Sequence, residues 1–551
     1  MRSNINYSFI GALLLGMVLW ITYLTPLFGS GISHLPKNWP IRIDIHDTVA
    51  LTTYGKWLVN TPHNYMSDSF SGDFLVIYNY VSDLMNNILA KMTAIPPMVL
   101  QAVYIGPFLG FLFVVLNYLV LNKIIANGRI ALLASVLIAF MGNSHLYDLF
   151  GIYDYYNYNV FKEFNNNDPA FCLRIFHLPF KILPVDQGGY SWGWILFLPT
   201  LVLLYLAYLK PDIKYKVLYG LLLGVLLQTH SLTFVNVLAV NLFYLSLHNL
   251  FLLWKNYKKS AITLVLLTLT TYSVLPFFYG FVVPPIYFVG GFITLFVLNF
   301  LFDRKKSFYL VSYSVFLVIC LPYLAVIVDN IGFLGKYRAF LPWHIPLPVL
   351  ATLYLPHLLA TGIGLYFLSV GPSKHKELSI WLISILGGTF IMAYNHLLGW
   401  GNHPYRFAIN LIFPMMILAA FGLFYGVKNI SSSDYFRNMT FKSISLVLMG
   451  WFCIIIALDM NNYLHDRRPF HNFVFGSQDE YDFLKEVQQE THDGEYILTA
   501  PERSSLPAQT AILLNYSQSR GFLPDYRFIL FEEKYQNRLK LFCFFFPSFT
   551  P

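Results

Sequence analysis

The chain has 551 residues, of which 56% are apolar and only 12% charged, and its mean hydropathy is +0.55. About a quarter of a soluble domain's residues are charged, so this composition excludes an ordinary soluble fold and makes the bilayer the main solvent. The net charge of +8 does not point to nucleic acid, because lysines and arginines fall in short clusters between apolar runs, where they set topology.

From the N-terminus, Arg2 precedes the apolar run 9–28, which is long for a signal-peptide core and lacks a small-residue cleavage site. It reads as an uncleaved first helix. A long loop follows over residues 29–97, in which Val49, Tyr54, Trp57 and Leu58 recur at helical spacing and predict an amphipathic helix in the membrane interface. Apolar runs then occupy 98–121 and, more briefly, 130–141, before a second long loop over 142–193. Further runs lie at 194–209, 217–227 (short), 232–253, 261–283, 286–302, 308–328, 347–370, 378–398, 407–425 and 444–458. A spanning helix needs about 20 mostly apolar residues, so the expected fold is an all-α integral membrane protein with about thirteen transmembrane helices.

Residues 1–460 form the multi-spanning domain on this reading, and 461–551 a small appended α/β segment with a short helix at 481–487 and a short strand at 496–499. The apolar patch around Cys543 and Phe544 to Phe546 reads either as a truncation point or as a surface packed on the membrane part. Cys172, Cys320, Cys453 and Cys543 are too scattered for a disulfide framework.

Orientation follows from the basic clusters at Lys123/Arg129, Lys210/Lys214/Lys216, Lys255/Lys258/Lys259, Arg304/Lys305/Lys306, Lys374/Lys376 and Lys428/Arg437/Lys442. Every second loop is basic, which places the N-terminus in the cytoplasm and both long loops and the tail outside it.

The candidate chemistry lies in those outer segments. Arg42-Ile-Asp44-Ile-His46-Asp47-Thr48 follows the first helix. Its two carboxylates, three residues apart and close to apolar bilayer, suit a general base or a cation site, or else a helix cap with a solvated neighbour, since Asp is a common cap residue. The second long loop sets Asp148, Asp154, Glu163 and Asp168 among tyrosines and asparagines, oxygen ligands and aromatic planes that fit a sugar or a hard divalent cation. His230, in Gln228-Thr229-His230-Ser231, breaks two apolar runs, either as a turn residue or as a donor to phosphate. Lys336, Arg338, Trp343 and His344 mark a further outer loop, and Trp400, Asn402, His403, Tyr405 and Arg406 another. Basic residues on that face run against the topological bias, and Arg406 at a helix start suits bidentate binding of a lipid phosphate or simple snorkelling.

The acidic Asp44-Ile-His46-Asp47 after the first helix, two long outer loops, about thirteen helices and an outer tail resemble the GT-C superfamily of membrane glycosyltransferases. That superfamily includes protein O-mannosyltransferases, aminoarabinose transferases and oligosaccharyltransferase catalytic subunits. The Leu223-Gly224-Val225-Leu226-Leu227-Gln228-Thr229-His230 and His403-Pro404-Tyr405-Arg406-Phe407 segments look like recurrent patterns in its bacterial members. The resemblance implies a polyprenyl-phosphate-type sugar donor, a lipid, glycan or protein acceptor, and no nucleic acid. It also implies a bacterial inner-membrane location and inversion at the anomeric carbon. By position it gives the base role to Asp44 or Asp47, donor contacts to His230, Arg338, His344, His403 and Arg406, and a divalent cation (Mg or Mn), where one is used, to Asp148 and Asp154. The Trp-Trp-Asp-Tyr-Gly acceptor-recognition motif of oligosaccharyltransferases is not found in the sequence, which argues against that branch of the superfamily. The rival readings are a polytopic transporter and a lipid-linked glycan flippase or polymerase, in which polar residues within the spans would mark a path.

Overall fold

The computed structural model describes residues 7–28, 43–44, 81–95, 100–141, 188–256, 293, 295–301, 303, 305–329, 347–370, 376–398, 404–428 and 435–465, with 472–473, 483, 486–487, 489–490, 496–497 and 520–521 in the tail. Its helices are α1 (Tyr7–Phe28), α2 (Val81–Thr93), α3 (Gly106–Ile125), α4 (Gly128–Phe140), α5 (Gly188–Leu209), α6 (Ile213–Thr229), α7 (Ser231–Asn256) and α8 (Lys306–Asp329). They continue as α9 (Leu347–Leu353), α10 (Leu355–Val370), α11 (Lys376–Ala393), α12 (Pro404–Ile409), α13 (Ile412–Val427) and α14 (Tyr435–His465). Among the described residues β structure is confined to two two-residue pairings, Ile43–Asp44 (β1) with Asn472–Phe473 (β2) and Tyr496–Ile497 (β3) with Arg520–Gly521 (β4). Seven of the described helices are long and apolar enough to cross a bilayer, and three shorter apolar helices accompany them. The chain is thus a helical integral membrane protein, as backbone polar groups in hydrocarbon require.

The two short apolar runs become helices by recruiting polar neighbours through caps. Asp212 accepts a hydrogen bond from the Lys214 N–H (3.0 Å) and starts α6 four residues before the apolar run. Asn127 accepts from the N–H groups of Arg129 (3.1 Å) and Ile130 (3.3 Å) and starts α4. Two long runs are broken instead. The run 347–370 divides at Tyr354, just before Leu355-Pro356, and the run 407–425 at Asn410 and Leu411, ahead of Pro414. In each case proline removes a donor and crowds the preceding turn. After the second break Asn410 O is met by the Phe413 N–H in a tighter turn (3.3 Å).

Helix α13 is the axis of the described bundle: 94% of the apolar 18-residue stretch within Arg406–Val427 is buried, against 22% of that within Met439–Leu458. It packs on α4, α10, α11 and α14. Phe413 meets Phe113 of α3 and Trp194 and Phe197 of α5, with ring centroids 4.9 to 6.0 Å apart. The α10–α13 crossing is backbone on backbone, for a methyl group on Gly422 would lie 2.6 Å from Ala360 O and 2.8 Å from Gly364 N. Thr361 Oγ1 donates to Met415 O (3.2 Å) in the same crossing.

The lysines gather at one end of the bundle. Lys216 Nζ donates to Ser307 Oγ (2.7 Å), and Lys305 Nζ donates to Tyr208 O (2.9 Å) while lying 3.9 Å from the centre of the Tyr208 ring. His248 on α7 faces Glu377 on α11 at 3.2 Å. The far end, where α6 passes into α7 and α12 into α13, is the lysine-poor end. Helices α1 and α14 touch, and β1 after α1 pairs with β2 after α14, so the first loop and the tail meet. Cysteines placed at exposed Lys214 and exposed Glu490 are therefore expected to react with a membrane-impermeant thiol reagent from opposite sides of sealed vesicles. Labelling from one side would reverse the assignment of ends.

Candidate functional site

The lysine-poor end is where the sequence places its chemistry, and the hand-over from α6 to α7 is its best-defined part. Helix α6 is held to α8 at this end by Gln228, whose Nε2 donates to Ile319 O (3.3 Å) and to its own helix at Gly224 O (3.2 Å). Thr229 Oγ1 donates back to Val225 O (2.7 Å), and the His230 N–H to Leu226 O (2.8 Å). His230 then starts the next helix. Its Nδ1 accepts from the Thr233 N–H (3.3 Å) and sits 2.6 Å from Thr233 Oγ1, while its carbonyl takes the Phe234 N–H (3.0 Å). The imidazole thus does what a Ser or Asp side chain does at an N-cap. It is 6% exposed and is packed by Gly193 of α5. Of the two readings the sequence leaves open for His230, the turn role is realised in these bonds.

Arg406 lies in α12, a single turn opened by Pro404 as a first helical residue. Its side chain is half-buried. Helix α12 packs on α11 and on α7, so the structure brings the element carrying Arg406 against the helix that His230 initiates. Asn410, one turn beyond, is 3% exposed.

Asp44 is described as backbone only. It lies in β1, opposite Asn472 in an antiparallel pairing, with Ile43 opposite Phe473. The acidic segment after the first helix is thereby tied to the segment after the last one, a contact across more than four hundred residues that no local pattern announces. Asp47, Asp148, Asp154, Arg338, His344 and His403 lie outside the described residues, as does the amphipathic segment Val49 to Leu58. Among the described residues no three His, Cys, Asp or Glu side chains gather as a metal site.

The structure adds an element that hydropathy alone did not select. Within the segment 29–97, ahead of α3, lies α2, followed by a π-helical turn, Leu100–Ile105. A widened turn of this kind is rare and frequently occurs at functional positions. Asn86 Nδ2 of α2 donates to Gln101 Oε1 of this turn (3.1 Å), and both side chains are buried. The signal was the spacing of Met85, Ile88, Leu89 and Met92, an i, i+3, i+4, i+7 series in a segment too short and polar to read as a span.

No protein-family model and no curated protein matches the chain. Among solved structures it is similar to the apo form of the Archaeoglobus fulgidus oligosaccharyltransferase. The TM-score is 0.50 at 15% identity, over 95% of this chain and 65% of that one. A second crystal structure of the same enzyme, in complex with Zn and sulfate, matches with a TM-score of 0.46 at 15% identity, over 88% of this chain and 56% of that one. The chain thus spans somewhat less than two thirds of the length of these structures, and at this identity the likeness is one of fold.

Gly193 gives the local test. A methyl group there would lie 2.7 Å from His230 Cβ and 2.9 Å from Nδ1. Alanine improves intrinsic helix propensity by up to about 1 kcal/mol, yet overpacking costs about 1 to 3 kcal/mol. Gly193→Ala is therefore expected to lower the melting temperature of the purified protein, and an unchanged or higher value would show that α5 does not seat against the His230 cap.

Proposed function

We propose that the chain is an inverting membrane glycosyltransferase. It would move a sugar from a polyprenyl-phosphate-type lipid donor to a lipid, glycan or protein acceptor at the extracytoplasmic face of a bacterial inner membrane. The observation that carries this is the shared fold with a membrane oligosaccharyltransferase over 95% of the chain, taken with an acidic segment placed directly after the first helix. On this reading the N-terminus is cytoplasmic and residues 1–460 contain about thirteen spans. Residues 461–551 are then an outer α/β segment. The β1–β2 pairing supports that topology, since α1 and α14 must then emerge on one side, which calls for an odd number of crossings.

The reaction assigned to the site is one displacement. The acceptor hydroxyl attacks the anomeric carbon, its proton passes to the carboxylate of Asp44 or Asp47, and the bond from that carbon to the donor phosphate breaks, so the configuration inverts. A carboxylate at the edge of apolar bilayer is a stronger base than in water, because the charged form loses hydration. The leaving phosphate takes up negative charge. Arg406, half-buried at the start of the buried axis helix, is suited to meet it with two parallel N–H donors, assisted by Arg338, His344 and His403 from neighbouring outer segments. Beyond its cap, the His230 imidazole borders the same end. The residues proposed for a divalent cation, magnesium or manganese, are Asp148 and Asp154, whose carboxylates are the hard oxygen ligands such ions take.

Two sets of variants test this. A general base contributes about 10²- to 10⁴-fold in rate, or roughly 3 to 5 kcal/mol of barrier, whereas a helix cap contributes about 1 kcal/mol of stability. One of Asp44→Asn and Asp47→Asn is expected to lose transfer from a lipid-phosphate sugar by that factor with its melting temperature unchanged. If both retain full activity, or lose it only in step with folded protein, the carboxylates are structural. Arg406→Lys keeps the charge but loses the planar fork, so its donor affinity is expected to fall by about ten-fold or more. Wild-type affinity in Arg406→Ala would reduce the residue to snorkelling.

A further inference from the structure

Helix α2 is amphipathic the wrong way round for an element facing water. Among its described side chains Met85 (48%), Ile88 (41%), Leu89 (38%) and Met92 (77%) are exposed as one apolar stripe, with Lys91 and Thr93 exposed at its C-terminal end. Its buried positions are Asn86, Asn87 and Ala90, so the face turned into the protein carries the amides. The buried amides are used, Asn86 by its bond to Gln101 and Asn87 in contacts of its own. A helix in water buries its apolar stripe. This one does the reverse, which is favourable only where the medium outside is itself apolar.

The helix is too short to provide that medium by crossing the bilayer. Thirteen residues rise about 20 Å, short of the roughly 30 Å hydrocarbon core. Its position fits a helix lying along the surface. It packs on α5, on α6 and on the π-helical turn that leads into α3. Helix α3 runs from that turn to Lys123 at the lysine-rich end, so α2 lies at the lysine-poor end. Its stripe does not stand alone. Tyr104 of the turn (45%) and Phe108 of α3 (43%) are exposed beside it. Phe108 stacks edge-on to Trp20 of α1 at 5.9 Å, where Met17, Val18 and Ile21 are also exposed. Exposed apolar side chains are thus carried by α2, by the turn it packs on, and by α3 and α1, the apolar helices on either side of it in the chain.

We propose that α2 is an interfacial helix whose Met85/Ile88/Leu89/Met92 stripe is seated in the phospholipid of the lysine-poor leaflet, held there from behind by the Asn86–Gln101 bond. The occupant is bilayer lipid, because α1 and α3, the apolar helices on either side of α2 in the chain, expose apolar side chains as well, and one helix face of this size is much smaller than a stable protein interface. Such interfaces bury about 800 Å² per partner. The assignment stands apart from the proposed sugar transfer and is tested without a sugar donor.

The full chain is reconstituted in vesicles of phosphatidylcholine and phosphatidylglycerol, with a diazirine-bearing amino acid in place of Leu89 or Met92. The same residue in place of exposed Glu490 serves as the aqueous control. Irradiation is expected to give phospholipid adducts at 89 and 92 in at least about ten-fold excess over 490, since only groups within the apolar boundary contact acyl chains. Adduct levels equal to those at 490, or cross-links chiefly to a second copy of the chain, overturn the proposal. The unsubstituted protein gives an independent reading. Met85 and Met92 in vesicles are expected to oxidise with aqueous peroxide about ten-fold more slowly than in the denatured chain. Oxidation at the denatured rate overturns the proposal even if the substituted chains fail to assemble.

Discussion

The constraint on which this bundle depends is that lipid gives helices no hydrophobic reason to associate, so they must gain by approaching closely. The approach is closest around α13. Gly422 lets α10 come to it backbone against backbone, while Phe413 seats against Phe113, Trp194 and Phe197 from α3 and α5. Once α13 is fixed by neighbours on every side, the turn at its start is fixed as well. Arg406 sits on that turn, so the placement of a candidate phosphate ligand follows from packing in the apolar interior rather than from the conformation of an outer loop.

The polar residues inside the spans belong to the same economy. Asn241 of α7 donates to the hydroxyls of Tyr219 on α6 and Tyr313 on α8, and Asn249 donates to Asn299 at 2.7 Å. These are neutral pairs between helices, each contributing about 0.6 kcal/mol in a membrane setting. Among the described spans the charged side chains lie toward helix ends. A transporter path built on intramembrane charge would look different. The Asn241 amide joins α6, α7 and α8, the three helices behind the His230 hand-over.

How far the sequence disclosed this depends on how local each cause is. The long apolar runs at 9–28, 232–253, 308–328 and 444–458 are all helices here, because backbone satisfaction in hydrocarbon leaves no alternative. The short runs at 130–141 and 217–227 needed Asn127 and Asp212 to be read as caps, a signal present in the residues but invisible to hydropathy. Hydropathy is equally blind to Pro356 and Pro414, which divide runs of uniform apolarity. For the site, His230 was legible as a break between helices, but its service as an N-cap to Thr233 was only one of two readings. The pairing of Asp44 with Asn472 and the inverted faces of α2 were not legible, since each depends on which surface of the folded chain a segment meets.

The contrast between the two ends bears on where chemistry belongs. At the lysine-rich end three lysines are committed. Lys216 is bound to Ser307, Lys305 to the Tyr208 carbonyl and ring, and Lys306 to the Phe300 carbonyl and ring. Asp303 accepts the Lys305 N–H (2.9 Å) and the Tyr309 hydroxyl (3.0 Å), and so closes the start of α8. Burial pushes the Lys305 ammonium below the usual lysine value, and nearby Asp303 and Glu377 oppose that shift. Basic residues there satisfy topology and then anchor helix ends. The opposite end has no topological need for arginine and histidine. Arg406 is nonetheless found there, half-buried on the turn that leads into the buried helix α13. The phosphate contact proposed for Arg406 would supply the reason that topology does not.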